Sequence, residues 1–293
     1  MASMEDALAE RPDDDGLAGM MGSLVRRRQS LEEAFLEEAN AAQIDVCSYR
    51  LIKDADLPLS IAALADSMKS FQGWLSTVFD ALKNGPKQTS KVSAEIAQQT
   101  ALEFAYSYPG SLGFVFSIHN DRLLVGESDL DRSIDVMFQM VRASSSDDLA
   151  KFSRAYGVAP IRRMYDWANT HARHMVTADI RWRRKDQVRN EAVVQSAEVG
   201  HLCDIINKTS DVTEEPLVIV GTLVGGDTAE KEFHLTFAEG EDIRGTISLE
   251  FRLDGELTLD RPYRATITKR AIVHYATEVE DISYELKGLE HLK

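Results

Sequence analysis

Asp242-Ile243-Arg244-Gly245-Thr246-Ile247-Ser248-Leu249-Glu250-Phe251-Arg252 alternates apolar and polar residues from end to end. Successive side chains of a strand point to opposite faces, so Ile243, Gly245, Ile247, Leu249 and Phe251 share one face. Arg244, Thr246, Ser248 and Glu250 share the other, the pattern of an antiparallel strand buried on one side. Outward from it, the same alternation predicts strands over 217–224, 231–238, 242–252, 262–269, 271–277 and 281–287. Gly225-Gly226-Asp227, Glu239-Gly240-Glu241 and Asp254-Gly255-Glu256 supply the positive-φ residues that tight reversals need. Short strands at this spacing predict a small β-barrel or sandwich over residues 217–293.

Upstream the periodicity changes to that of helices. Ile61, Leu64, Met68, Phe71, Leu75, Val78 and Leu82 recur in steps of three and four, with Trp74 and Phe79 widening the stripe. Ser60 is placed to cap that helix, and Asn84-Gly85-Pro86 to end it. Its aromatic breadth suits an internal core better than a dimer seam. Further helices are predicted over 24–42, after the N-cap Ser128, over 147–156 up to Gly157, after Pro160, and over 193–206. Ile44–Ile52 is strand-compatible. Leu102, Phe104 and Tyr106 alternate before Tyr108-Pro109-Gly110-Ser111, and Phe114, Phe116 and Ile118 alternate after it, which predicts a hairpin with a type II turn. Val176–Trp182 is predicted to return as a strand beside that hairpin. The fold class expected is therefore α+β: helices packed on a small antiparallel sheet, followed by a small all-β domain. Residues 1–22 are expected as a disordered acidic leader, 23–207 as the helix-rich domain, 208–216 as a linker and 217–293 as the β domain.

The chain has 293 residues, 44% of them hydrophobic, which is enough for two ordinary cores. It lacks a basic-then-apolar leader and a long apolar run, so a cytoplasmic location without membrane contact is expected. Cys47 and Cys203 have neither disulfide-framework nor zinc spacing. The net charge of -15 opposes wholesale wrapping of nucleic acid. Its distribution is uneven. Residues 210–293 carry 18 Asp/Glu against 9 Lys/Arg, and residues 1–22 carry 6 against 1. Between them, Arg162, Arg163, Arg173, Arg181, Arg183, Arg184, Lys185 and Arg189 outnumber Asp166, Asp179 and Asp186 over residues 160–190.

Several apparent motifs do not carry their chemistry. Gly221 to Asp227 spaces glycines like a phosphate loop, but it has neither the following Lys and hydroxyl residue nor a following helix. Gly110-Ser111-Leu112-Gly113 joins two strands, whereas a nucleophile elbow joins a strand to a helix. His171 and His174, with Asp166 or Asp179, form an incomplete metal set. His201 and Cys203 are two apart on a helix and point to different faces. No catalytic, cofactor or metal site is expected.

The candidate contact residues are Arg162, Arg163, Arg173, Arg181, Trp182, Arg183, Arg184 and Lys185, which combine guanidinium groups with an aromatic. They compete with a bland reading in which the strip is a solvated strand end and Trp182 lies in the core. Beside acidic segments, a basic strip suits protein contact. The function expected is thus a non-enzymatic interaction or assembly subunit, joining copies of itself as a homo-oligomer or seating in a larger complex. One alternative is a nucleic-acid-facing accessory factor of a prokaryotic antiviral defence or mobile-element system. The other is a hydrolase with an unrecognised carboxylate site.

Overall fold

The computed structural model describes residues 14–53, 59–108, 112–120, 127–185, 187–227, 230–237, 241–254, 256–277 and 279–292. The chain divides into two compact units, 1–209 and 210–293. The expected α+β class holds, with helices on a sheet in the first unit and an all-β second unit.

The first unit runs α1 (Asp15–Ala41), β1 (Ile44–Lys53), α2 (Ile61–Asn84), α3 (Ala94–Gln99), β2 (Glu103–Tyr108), β3 (Leu112–His119), α4 (Asp129–Val141), α5 (Ser146–Tyr156), α6 (Val158–His174), β4 (Val176–Arg184), β5 (Gln187–Val194) and α7 (Ser196–Asn207). Its strands form one antiparallel sheet in the order β2-β3-β1-β4-β5. Polar caps set the helix starts. The Ser60 hydroxyl accepts from the Ala63 N–H at 3.1 Å. Ser128 and Asp131 exchange a reciprocal capping pair at 3.0 and 3.2 Å.

Strand alternation sorts the sheet's two faces. Cys47, Tyr49 and Leu51 of β1, with Ala178, Ile180 and Trp182 of β4, are buried on the face covered by α2, α4, α6 and α7. There Trp74 of α2 stacks on Trp167 of α6 at 5.4 Å, and Tyr49 packs on Phe71 at 4.8 Å. The opposite face carries Val46, Ser48 and Arg50. Among the described residues one end of it is covered, by Leu36 and Ala39 of α1 against Val46 and Val115.

Several expectations need correction. The acidic leader is helical from Asp15, because the Asp14 carboxylate accepts from the Leu17 N–H at 3.0 Å. Acidic residues there favour a helix N-terminus, where the peptide dipoles are positive. Residues 1–13 and the turn residues Pro109, Gly110 and Ser111 lie outside the described residues. Ile61 is 85% exposed, so the buried stripe of α2 starts two residues later, at Ala63, and continues through Ser67 and Phe71. Val176–Arg184 pairs with β1 and β5, not with the β2–β3 hairpin. Residues 187–194 form an edge strand, so Val193 and Val194 are not helical; an edge strand with polar residues outward leaves little alternation to read.

The second unit comprises β6 (Ser210–Asp227), β7 (Glu232–Thr236), β8 (Asp242–Asp254), β9 (Arg261–His274) and β10 (Glu280–His291). These strands pair in the ring β10-β8-β7-β6-β9, closed by β9 on β10. Leu223, Phe233, Leu235, Tyr263, Ala265, Ile267, Leu286 and Leu289 fill it. The two strands expected over 262–269 and 271–277 are one strand through His274: Lys269-Arg270 adds charge without breaking the alternation, and Ala271 is again buried. Residues 210–216, expected as linker, are the first part of β6 and pair with β9. Leu249, expected inside, is 86% exposed. Between Ile247 and Arg252, β8 bulges against Leu286 and Gly288 of β10, which turns Leu249 outward.

Candidate functional site: an arginine and tyrosine cleft

Beside the cluster of Leu36, Ala39, Val46 and Val115, the same face of the first unit's sheet forms the floor of a cleft of about 520 Å³ among the described residues. Register and alternation explain its membership. Arg50 lies opposite Asp179 and Ser48 opposite Arg181 across β1 and β4. Ser48 is also opposite Val115, Val115 opposite Tyr106, and Gly113 opposite Tyr108. All these side chains therefore rise from one face. The wall is α1, on which Arg28, Leu31, Glu32 and Phe35 fall at helical spacing.

The floor is polar and internally paired. Asp179, 5% exposed, holds Arg50 Nη2 at 3.0 Å and Arg181 Nε at 3.2 Å. Glu32 of the wall holds Arg183 Nη1 at 3.0 Å. The Nε atoms of Arg50 and Arg183 have no acceptor among the described residues. Four arginines against two carboxylates give the lining an excess of two positive charges. Phe35 meets Tyr106 edge-on at 5.5 Å. Burial pushes the Tyr106 phenol up, with Glu32 adding to it, and burial pushes Tyr108 up against the pull of Arg50. Both phenols are therefore protonated donors at neutral pH.

Gly113 is required by the shape of this floor. A Cβ there would come within 2.4 Å of the Tyr108 ring, so the ring lies over the glycine. A residue with a Cβ there would have to displace the ring.

Behind the sheet sits a second polar cluster with a structural role. Asp45, fully buried, takes two bonds of 2.9 Å from Arg184, one of 2.9 Å from Asn120 and one of 3.3 Å from Trp182 Nε1. Asp131 of α4 accepts from Arg184, from Arg189 at 2.6 Å and from Asn120 at 3.0 Å. Burial alone would raise the Asp45 carboxyl, but the Arg184 and Asn120 bonds outweigh it and hold the group below its ordinary range. The cluster ties β1, β4, β5 and α4 together.

The basic stretch read from the sequence is thus split by the fold. Arg181 and Arg183 line the cleft. Trp182 is 1% exposed, so it is not presented for stacking, and Arg184 is part-exposed but already held by two carboxylates. Arg162 and Arg163 pair with Asp166 on α6, on the helix-covered side, and Arg163 also donates to the Ser90 carbonyl at 3.1 Å. Arg173 and Lys185 are exposed and do not line the cleft. Arg28, Glu32, Arg50, Tyr106, Tyr108 and Asp179 were not singled out as contact residues. The alternation of Ser48 and Arg50 against buried Tyr49 and Leu51 is the signal that could have found the floor.

His171 and His174 do not converge on a metal. His171 is buried between Tyr49 and Trp167, and among the described residues no three His, Cys, Asp or Glu gather. Cys47 and Cys203 are buried free thiols; burial, aided by Asp204, pushes Cys203 up to about 11. Among the described residues, no helix is long and apolar enough to cross a membrane.

No family model matches the chain, and no curated protein does. Among solved structures it is similar to a Cu(II)-bound variant of CusF from Escherichia coli, at 12% identity over 27% of this chain and 94% of that one, with a TM-score of 0.18. It is similar in the same degree to Ag(I)-bound CusF, at 12% identity over 27% of this chain and 99% of that one, with a TM-score of 0.18. Likeness at this level says nothing of what the chain does.

Proposed function

We propose that the protein is a non-enzymatic interaction and assembly subunit whose N-terminal unit seats an acidic segment of a protein partner in the arginine and tyrosine cleft. The observation that carries this reading is an excess of two positive charges, with two protonated phenols, in one concave surface of a chain whose net charge is -15. Guanidinium groups pair with carboxylates, and the protein's acidic remainder repels such a segment everywhere else. A volume of about 520 Å³ is within the range of specific binding sites. A second copy of this chain is one source of acidic segments, since residues 210–293 carry 18 Asp/Glu against 9 Lys/Arg.

The test is fluorescence anisotropy of a labelled 12-residue peptide alternating Glu with Thr, titrated with the full chain. Binding that weakens at least about five-fold between 50 and 300 mM salt is expected, because exposed charges are screened over about 10 Å at 0.1 M. Arg50→Gln combined with Arg183→Gln removes it. Absence of binding, or binding indifferent to salt and to both substitutions, refutes the proposal.

A further inference from the structure

We infer that Arg181 is the residue that seats a ligand carboxylate in the cleft, end-on through its two terminal nitrogens. This rests on the proposed reading of the cleft and adds which of its cations does the seating. The four lining arginines are not equivalent. Arg50 gives Nη2 to Asp179 at 3.0 Å, and Arg183 gives Nη1 to Glu32 at 3.0 Å, so each has one terminal nitrogen committed to a carboxylate of the chain itself. Their Nε atoms are buried.

Arg181 is held the other way round. Its Nε donates to Asp179 at 3.2 Å, and neither of its terminal nitrogens has an acceptor among the described residues. Its side chain is 43% exposed, against 39% for Arg50 and 24% for Arg183. A guanidinium meets a carboxylate through two parallel N–H bonds, along the edge that includes Nε or along the edge formed by the two terminal nitrogens. Asp179 lies on the first edge of Arg181 and leaves the second open. Neither Arg50 nor Arg183 keeps that second edge whole. Glu191 of β5 is level with Arg181 in the register, and among the described residues it makes no ion pair with it, so the open edge is not closed from within the sheet.

Arg28 is the other lining cation without a carboxylate partner among the described residues, and it stands exposed on α1. Asp179, itself buried, fixes the Arg181 fork before a ligand arrives, whereas seating a carboxylate on Arg28 has to immobilise a long side chain as well. Arg28 therefore supplies charge, and Arg181 supplies charge and geometry. Arg50 and Arg183 offset Asp179 and Glu32, so their joint removal leaves the lining without net positive charge. The charges of Arg50 and Arg181 both act on the Tyr108 phenol, which puts a neutral donor near the seated group. The unit recognised is one Asp or Glu carboxylate, and further acidic residues of the segment add long-range attraction.

The experiment is anisotropy of the labelled Glu/Thr peptide with the full chain, comparing Arg181→Lys with Arg28→Lys. Each keeps the charge of the lining and removes one fork, so screening by salt is the same in both. Arg181→Lys is expected to bind at least about ten-fold more weakly than the unsubstituted chain, and Arg28→Lys to stay within about two-fold of it. The urea midpoint of Arg181→Lys is expected to match that of the unsubstituted chain, because the side chain is part-exposed and the charge beside Asp179 is kept. Affinity of Arg181→Lys within about two-fold of the unsubstituted chain, or an equal loss in Arg28→Lys, overturns the inference and leaves the acidic-segment reading in place. Failure of the unsubstituted chain to bind the peptide overturns both.

Discussion

Lowering the pH from 7 to 4 should destabilise the N-terminal unit through one residue, His171. Its Nδ1 is 2.8 Å from the Trp167 carbonyl, which can only accept, so Nδ1 carries the proton. Nε2, 2.8 Å from the Tyr49 hydroxyl, then accepts from it, and the Tyr49 oxygen accepts from Trp167 Nε1 at 2.7 Å. Protonating Nε2 would set a second donor against that hydroxyl in a site with no exposure to water. Burial is the main cause that lowers the His171 pKa to about 4; the bond to the Trp167 carbonyl works against it, and the charge of His174 works with it. An unfolded histidine titrates near 6.5. Because the folded value is the lower, the stabilisation is complete above about pH 6.5 and is lost as pH falls toward 4, when the unfolded chain takes up a proton that the folded one refuses. The slope reaches about 1.4 kcal/mol per pH unit and the whole window amounts to about 3 kcal/mol. Tyr49 lies between Ser48 and Arg50, so the loss falls on the strand that carries the cleft floor. Urea unfolding of the protein and of His171→Gln, compared from pH 7 to 4, measures it. The variant should be less stable at pH 7 and should lose less stability per pH unit below 6.5. An equal slope in the two proteins, or a His171 ring proton titrating near pH 6.5 by NMR, would refute the reasoning.

Two further outcomes follow from the same sheet. Arg184→Met leaves Asp45 buried without its bidentate partner and should cost about 3–5 kcal/mol in chemical denaturation, the usual penalty for breaking a buried pair; a loss under about 1 kcal/mol would show that Asn120 and Trp182 suffice. Gly113→Ala puts a methyl group where the Tyr108 ring lies, and should weaken acidic-peptide binding about ten-fold by displacing that ring. Unchanged affinity in anisotropy would mean that Tyr108 is not part of the binding surface.

Much of the secondary structure was legible because local chemistry fixes it. Ser60 and Ser128 sit at helix starts since each hydroxyl satisfies an amide that the helix leaves free. Gly157 ends α5 at φ 83°, a conformation closed to most residues. Where the local signal was weak or shared between states, the reading failed. Asp14 and Asp15 read as disorder because acidity suits both a solvated leader and a helix N-terminus. Lys269-Arg270 read as a break because charge marks both turns and the outer face of a strand, and Leu249 read as core because alternation carries no trace of the β8 bulge.

The sequence by itself determined that a helix-rich segment precedes an all-β one, that acidic ends flank a basic stretch, and which faces of the elements are apolar, since periodicity and charge are properties of neighbouring residues. Only the tertiary structure decided which arginines share a surface. Arg183 and Arg184 are adjacent in the chain, yet strand alternation sends Arg183 to Glu32 at the cleft and Arg184 to Asp45 behind the sheet. Arg50 and Arg181 are 131 positions apart, yet the pairing of β1 with β4 brings both to Asp179. Sheet register is set by contacts distant in sequence, and a pattern within one segment does not contain it.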